Sequence, residues 1–137
     1  MSAAEIIDRY YAAFNARDFA AYDTLFTADA ALETPAGAGT GPDAMRGFDQ
    51  VWSRACSSFR LEVLSRAESG DVVANELDVS GVHDGVFAVE GNEAPATGNL
   101  LSCRGISVFE VRDGRIAAQR IYFDRMLVLG QLGVLPG

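Results

Sequence analysis

The chain has 137 residues, of which 49% are hydrophobic and 22% are charged. This composition is typical of one folded domain with a substantial core and excludes a disordered chain. The net charge of −8 disfavours nucleic acid and anionic lipid as partners, because an acidic surface is repelled by both. The two cysteines fit no metal or redox spacing, and no stretch approaches the ~18 apolar residues of a membrane span. A start at Met1 without a leader-like segment predicts an unprocessed cytoplasmic protein with a single domain over residues 1–137.

The N-terminal part of the chain predicts three helices. Ser2 and Glu5 form a capping box for the first helix, Asp18 is a good N-cap for the second, and Pro42 suits the first turn of the third. Apolar side chains recur at helical spacing in the three segments: Ile6, Ile7, Tyr10, Tyr11 and Phe14; Phe19, Tyr22, Leu25 and Phe26; Met45, Phe48, Val51, Trp52 and Ala55. Between the second and third helices, residues 30–34 predict a short strand and residues 35–42 a glycine-rich loop.

After Phe59 the apolar period changes from helical to alternating, which predicts strands. They cover residues 59–65, 72–82, 100–111 and 115–124, with a strong hairpin signal at Asp113-Gly114. Residues 84–98 are irregular, and residues 126–135 form an apolar tail that can make a helical turn. Helices first and long antiparallel strands afterwards predict an α+β domain with the helices on one face of a curved sheet. Such layers leave a pocket between them.

The last predicted strand carries a polar set that we take as the centre of the site. Arg120, Tyr122 and Asp124 are spaced by two, so they point to one face, while Ile121 and Phe123 point to the other. A carboxylate in an apolar pocket has a raised pKa and can transfer protons near neutral pH, which makes Asp124 the first candidate. The alternative is that Asp124 caps the turn formed by residues 125–127.

Several short motifs, in order along the chain, resemble the SnoaL-like group of polyketide cyclases in the nuclear transport factor two-like superfamily. They are Tyr10-Tyr11-Ala12-Ala13-Phe14-Asn15-Ala16-Arg17-Asp18, Asp29-Ala30-Ala31-Leu32-Glu33-Thr34-Pro35, Gly81-Val82-His83-Asp84-Gly85, Pro95-Ala96-Thr97-Gly98, Arg112-Asp113-Gly114-Arg115-Ile116 and Asp124 with Gln131-Leu132-Gly133. The resemblance covers nearly the whole chain. It implies a cone-shaped, curved mixed or antiparallel sheet with three N-terminal helices over its concave face. It also implies that Asp124 is the acid/base, although Glu110 stands where the family usually has a partner histidine.

Two relatives in the same superfamily have different implications. The chain is similar to limonene epoxide hydrolase around Arg120 to Asp124 and around Glu76 to Val79. This likeness implies that Asp78 and Asp124 are paired carboxylates, but Glu76 replaces the bridging arginine of that enzyme. The chain is also similar to ketosteroid isomerase at Tyr10 and at residues 33–35. Thr34 stands in place of the catalytic aspartate, which argues against isomerase chemistry of that kind.

The remaining candidates surround this acid pair. Asp78 can share one proton with Asp124 if both face the cavity, and otherwise lies on a solvated sheet face. Tyr10 and Tyr122 can donate to an oxyanion, and Arg120 can balance nearby acids. A lone histidine is a poor metal signal, so His83 is either a substrate contact at the pocket mouth or a hydrogen-bonded strand-end residue. Trp52 and Phe14 are candidate apolar walls, or ordinary core.

We therefore predict a small enzyme without cofactor or metal that uses carboxylate acid/base catalysis on an apolar, polyketide-like intermediate in a closed pocket. Cyclisation or isomerisation is the first expectation, and opening of an epoxide is the second. A non-catalytic ligand-binding or dimeric association domain is the alternative from another class. The expected partners are a small apolar substrate and a second copy of the chain that pairs through the sheet face away from the pocket, with no nucleic acid and no membrane.

Overall fold

The computed structural model describes residues 1–89 and 92–134, and of Val89 and Asn92 it describes the backbone only. The elements are α1 (Ala3–Asn15), α2 (Phe19–Asp23), β1 (Phe26–Thr34), β2 (Gly37–Thr40), α3 (Pro42–Ala55), β3 (Arg60–Ser69), β4 (Val72–Val82), β5 (Phe87–Val89), β6 (Asn92–Ala94), β7 (Leu100–Arg112), β8 (Arg115–Phe123) and α4 (Arg125–Gln131). The predicted α+β class is confirmed.

Local sequence explains the helix boundaries. Ser2 Oγ accepts a hydrogen bond from the Glu5 amide, and the Asp18 carboxylate accepts one from the Ala21 amide, so two of the predicted caps are present. Helix α2 is shorter than its apolar pattern suggests, because β1 already begins at Phe26. The apolar tail forms the seven-residue helix α4.

Six strands form one curved sheet in the order β2-β1-β8-β7-β4-β3, in which β1 and β8 run parallel and the other neighbours antiparallel. The β7–β8 turn has Asp113 at φ 53° and Gly114 at φ 75°. Two left-handed residues in succession define the hairpin turn that the Asp-Gly pair predicts. Two segments expected to be irregular contain strands: β2 lies in the glycine-rich loop, and β5 and β6 form a separate hairpin.

The two faces of the sheet differ sharply in burial. In β7, the odd-numbered residues from Leu101 to Val111 are buried under the helices, while the even-numbered residues face outward. A register shift between Glu110 and Val111, opposite the start of β8, sets the alternation in β8. As a result, β8 turns Gln119 and its apolar side chains inward and its charged and phenolic side chains outward.

Candidate functional site

The polar set on the last strand lies on the outer face of the sheet, away from the helices. Tyr122 is 54% exposed, and the Arg120 guanidinium donates to Glu110 Oε2 at 2.6 Å. Asp78 lies on the same face, 38% exposed and 3.5 Å from Arg104. The expectation that these residues line the pocket is wrong, because the covered face of β8 takes its apolar side chains instead.

Asp124 is exposed at the junction between β8 and α4. Its Oδ1 accepts a hydrogen bond from the Leu127 amide at 3.0 Å, so the alternative interpretation as a helix cap is confirmed. This geometry does not place its carboxylate in an apolar pocket. A catalytic role for Asp124, alone or with Asp78, stays a prediction.

His83 is fully buried and lines neither of the two cavities described below. Its Nδ1 lies 2.9 Å from Thr97 Oγ1, which matches the hydrogen-bonded alternative rather than a substrate contact. The neighbouring Asp84 accepts from the Ser57 amide, and the Gly85 amide donates to the Ala55 carbonyl. The segment after β4 that contains His83, Asp84 and Gly85 therefore anchors the end of β4 to the end of α3.

A chamber of about 50 Å³ lies between the helices and the covered face of the sheet. Of the predicted residues, Tyr10 and Trp52 line it, whereas Phe14 packs in the core against Phe59. Most of the wall is apolar or aromatic. Those wall residues are Phe48, Trp52, Phe59, Leu61, Leu77, Val79, Leu101, Cys103, Gly105, Ile121, Phe123 and Val128. The polar lining residues are Tyr10, Asp49, Ser107 and Gln119.

Asp49, on the covered side of α3, is the acid that lines this chamber. It is 4% exposed, and its Oδ2 accepts hydrogen bonds from Tyr10 at 2.7 Å and from Tyr22 at 2.6 Å. The Gln119 amide in turn donates to the Tyr10 hydroxyl at 3.2 Å. Four elements, namely α1, α2, α3 and β8, thus meet at one buried carboxylate.

The buried site shifts the acidity of its members. Burial raises the pKa of Asp49 to about 6, against the opposing effect of the two tyrosine hydrogen bonds. Burial and the nearby Asp49 raise the pKa of both Tyr10 and Tyr22 far above the usual value, so both phenols stay protonated. Asp49 is therefore the group of this cluster that changes its charge near neutral pH.

A second hydrogen-bonded chain reaches the chamber from the surface. Asp8 accepts from Arg66, Arg66 donates to Asn75, and Asn75 donates to the Tyr11 hydroxyl at 3.3 Å. Ser107 lies next to Tyr11 and lines the chamber, and its hydrogen bond lowers the pKa of that phenol against a larger increase from burial. Tyr11 and Asn75, the polar side chains beneath the chamber, are therefore held in place by hydrogen bonds on the side away from it.

Outside the chamber, a groove of about 770 Å³ opens between α3, α4 and the β5–β6 hairpin. Phe48, Trp52, Phe123 and Val128 line both the chamber and the groove, so they form the wall between them. The Trp52 and Phe123 rings meet edge to face at 5.8 Å.

Sequence reasoning missed Asp49, although a signal for it exists. The residue lies four positions after Met45 and three before Trp52, within the apolar stripe of a predicted helix. An acid on the core side of a helix is unusual and points to a partner or a function. Among residues 1–89 and 92–134, no cluster of three or more His, Cys, Asp or Glu side chains is arranged to hold a metal ion. No helix in these ranges is long and apolar enough to cross a membrane.

The comparisons with known proteins agree on one family. A family model described as a SnoaL-like domain matches residues 7–119. A candidate SnoaL-like polyketide cyclase from Jannaschia sp. CCS1 superposes with a TM-score of 0.84 at 19% identity, over 98% of this chain and 93% of that one. IdmH, a candidate polyketide cyclase from Streptomyces antibioticus, gives 0.79 at 26% identity, over 98% and 100%. AclR, a candidate hydroxylase from Streptomyces galilaeus, gives 0.80 at 21%, over 98% and 87%. No curated protein sequence matches the chain.

Proposed function

Because the chain belongs to the SnoaL-like domain family, we propose that it is a cyclase- or isomerase-type enzyme that moves a proton on a small apolar molecule. The substrate class is supported by two of the similar structures, which are named as candidate polyketide cyclases. The observation that carries the proposal is Asp49, a buried carboxylate that borders an apolar chamber. A proton-transferring group in such a place needs neither cofactor nor metal.

Asp49 has the properties of a general acid/base. With a pKa of about 6 it is mostly ionised at pH 7, yet it is basic enough to take a proton from a weak carbon or oxygen acid. Tyr10 and Tyr22 both donate to Oδ2, which holds the carboxylate in one orientation and leaves Oδ1 for the substrate. Oδ1 accepts the proton from one substrate atom and returns it to another, so the net reaction is a rearrangement.

The aromatic wall supplies the rest of the site. Trp52 stacks on Phe59 at 6.0 Å and meets Phe48 at 6.0 Å. Flat apolar rings pack well against such faces and exclude water from the carboxylate. Exclusion of water keeps the transferred proton from exchanging with solvent and strengthens each polar contact.

The pair Asp124 and Asp78 is a competing proposal, since the family resemblance points to Asp124 and the epoxide hydrolase resemblance to both. The exposure of these acids and the Arg104 partner of Asp78 support Asp49 instead, because neither exposed carboxylate lies in a site that excludes water from the substrate. Variants of the two sites separate the proposals.

The test uses 5-nitrobenzisoxazole, a probe whose ring opens by cleavage of the N–O bond when a base removes the hydrogen on its isoxazole carbon. We expect Asp49→Asn to lower the rate of ring opening by ~10²-fold or more, because the amide cannot accept the proton. Asp124→Asn keeps a capping side chain and is the matched control, with Asp78→Asn as a second. Both should react like the parent protein. An unchanged rate in Asp49→Asn would contradict the proposal, and a loss confined to Asp124→Asn would transfer the role to that residue.

Non-catalytic ligand binding is the second candidate function. The small volume of the chamber, about 50 Å³, and the aromatic side chains that line it favour this function. A binding domain would take up apolar ligands in the groove and accelerate no reaction through Asp49.

The second copy of the chain is also a proposal. The outer sheet face carries exposed apolar side chains at adjacent positions, with Ile106 opposite Tyr122 in the β7–β8 register and 47% and 54% exposed. We propose that this face pairs with itself in a homodimer. The cytoplasmic location expected from composition stays a prediction.

A further inference from the structure

We propose that the chamber selects its substrate by a hydroxyl group: it takes a flat apolar molecule whose buried end is a hydrogen-bond donor, such as a phenol or an enol. The inference rests on the proposed function, because it names the substrate class for the same site. It follows from counting which donors and acceptors of the chamber already have partners.

The donors at Asp49 are already in use. Tyr10 and Tyr22 each donate their single hydroxyl hydrogen to Oδ2 of Asp49, and a phenol has no second hydrogen to donate. The other oxygen, Oδ1, accepts no hydrogen bond from the described residues. Oδ1 is also accessible. Among the described residues, the fully buried polar side-chain atoms that lack a hydrogen-bond partner are Asp23 Oδ1 and His83 Nε2, and Asp49 Oδ1 is not one of them. The chamber thus has a carboxylate oxygen available to a ligand.

Two further oxygens lie beside this one. The Gln119 amide nitrogen donates to Tyr10, and the amide oxygen has no partner among the described residues and is not sealed. The same holds for Ser107 Oγ, apart from its contact with Tyr11. Both residues are 2% exposed, so their orientation is set by packing rather than by solvent. The polar end of the chamber is therefore rich in acceptors.

Positive groups are absent from the described lining of the chamber, which contains no Arg, Lys or His. An acidic ligand would place its own charge against ionised Asp49 without compensation, which is unfavourable in an apolar site. A carbonyl ligand would find only the second amide hydrogen of Gln119, because the hydroxyl of Ser107 is hydrogen-bonded to Tyr11. A hydroxyl ligand instead donates to a charged acceptor, and such bonds are about twice as strong as neutral ones.

The test compares phenol with fluorobenzene, which has a similar shape and no donor, by titration followed with NMR. The measured quantity is the ratio of their two affinities, since burial of the ring contributes similarly to both. Between pH 5 and pH 8 we expect this ratio to rise by about ten-fold, because Asp49 becomes ionised there while phenol stays neutral. The other ionisable groups that face Asp49 are Tyr10 from α1 and Tyr22 from α2, with Tyr11 of α1 nearby. Cys103 of β7 also lines the chamber, and burial raises the pKa of all four groups.

Asp49→Asn should remove the pH dependence and lower the ratio at pH 8, whereas Asp78→Asn on the outer face should change neither. A ratio that is flat with pH in the parent protein would overturn the proposal, and so would failure of both probes to bind at 10 mM. The measurement needs no turnover. A hydroxyl preference in a protein whose Asp49→Asn variant still opens 5-nitrobenzisoxazole would remove the proposed catalytic role and leave the selection intact. Loss of ring opening without any hydroxyl preference would do the reverse.

Discussion

At the scale of single residues, Asp49 imposes an energetic cost on the fold. A carboxylate buried beside aromatic rings loses its hydration, and two tyrosine hydroxyls return only part of that free energy. Proteins retain such groups where they serve a site, because an apolar residue of similar size would be more stable. The cost has a direct signature in the dependence of stability on pH.

We expect Asp49 to destabilise the protein progressively as the pH rises. Its pKa is raised from 3.8 to about 6 on folding, so between these values the native state binds more protons than the unfolded state. The free energy of unfolding then falls with pH, and from pH 4 to pH 7 the fall is roughly 2 kcal/mol.

Urea unfolding of the parent protein and of Asp49→Asn at several pH values measures this effect. The difference in unfolding free energy between the two proteins isolates Asp49 from the other carboxylates. A difference that stays constant from pH 4 to pH 7 would show that Asp49 has an ordinary pKa in the folded protein.

At the scale of elements, α4 is a short helix held at both ends by side chains. Asp124 caps its first turn. At its last residue, the Gln131 side chain accepts from the Ser102 amide and donates to the Ser102 carbonyl, both at 2.9 Å. Gln131 thereby replaces a strand partner along β7, in the part of β7 that precedes its pairing with β8 at Gly105. Val128 of this helix lines both the chamber and the groove.

We predict that Gln131→Ala loosens α4 without unfolding the domain. It removes two hydrogen bonds that tie the helix to β7, whereas the sheet and the other helices keep their contacts. Hydrogen exchange of the Val128 and Leu132 amides should accelerate by ten-fold or more, with the amides of β4 and β7 beyond Gly105 unchanged. Equal protection in the variant and the parent protein would mean that α4 is held by its apolar contacts alone.

A separate expectation concerns the cap. Asp124→Ala should lower the free energy of unfolding by about 1 kcal/mol, because the Leu127 amide loses its acceptor, while Asp124→Asn should have a much smaller effect. Thermal unfolding of the two variants side by side measures the difference. Equal loss in both would indicate that the charge of Asp124, rather than its capping geometry, stabilises α4.

At the scale of the whole molecule, the sheet has one face under the helices and one face without cover in the single chain. The uncovered face combines exposed Ile106 and Tyr122 with the ion pairs Arg120–Glu110 and Arg104–Asp78. A mixed apolar and charged surface of this kind can complement a second copy of itself about a twofold axis.

We expect Ile106→Arg to convert the proposed homodimer into a monomer, because it would place two unpaired cations near the twofold axis. Light scattering coupled to gel filtration measures the mass in solution. Met126→Arg, a change of another exposed apolar residue, on α4, is the control and should keep the oligomeric state. A monomeric parent protein would contradict the homodimer directly.

The architecture was largely predictable from local patterns. Capping residues, helical and alternating periods and the Asp-Gly turn each act over a few residues, and they predict α1, α3, β4, β7 and β8 within a few positions. Strands β2, β5 and β6 were not predicted, because their segments are short and rich in glycine or acids and acquire extended structure only through pairing.

The residues of the site were likewise predictable only in part. The residues alone predicted Trp52 as a candidate wall residue and the common face of Arg120 and Tyr122, and the resemblance to ketosteroid isomerase pointed to Tyr10. Only the packing of distant elements decided which face of β8 is covered. The same packing decided that the acid beside Tyr10 is Asp49 of α3 rather than Asp124. Periodicity tells which side chains share a face but not what covers that face, and the pKa of a carboxylate depends on neighbours that are remote in the chain.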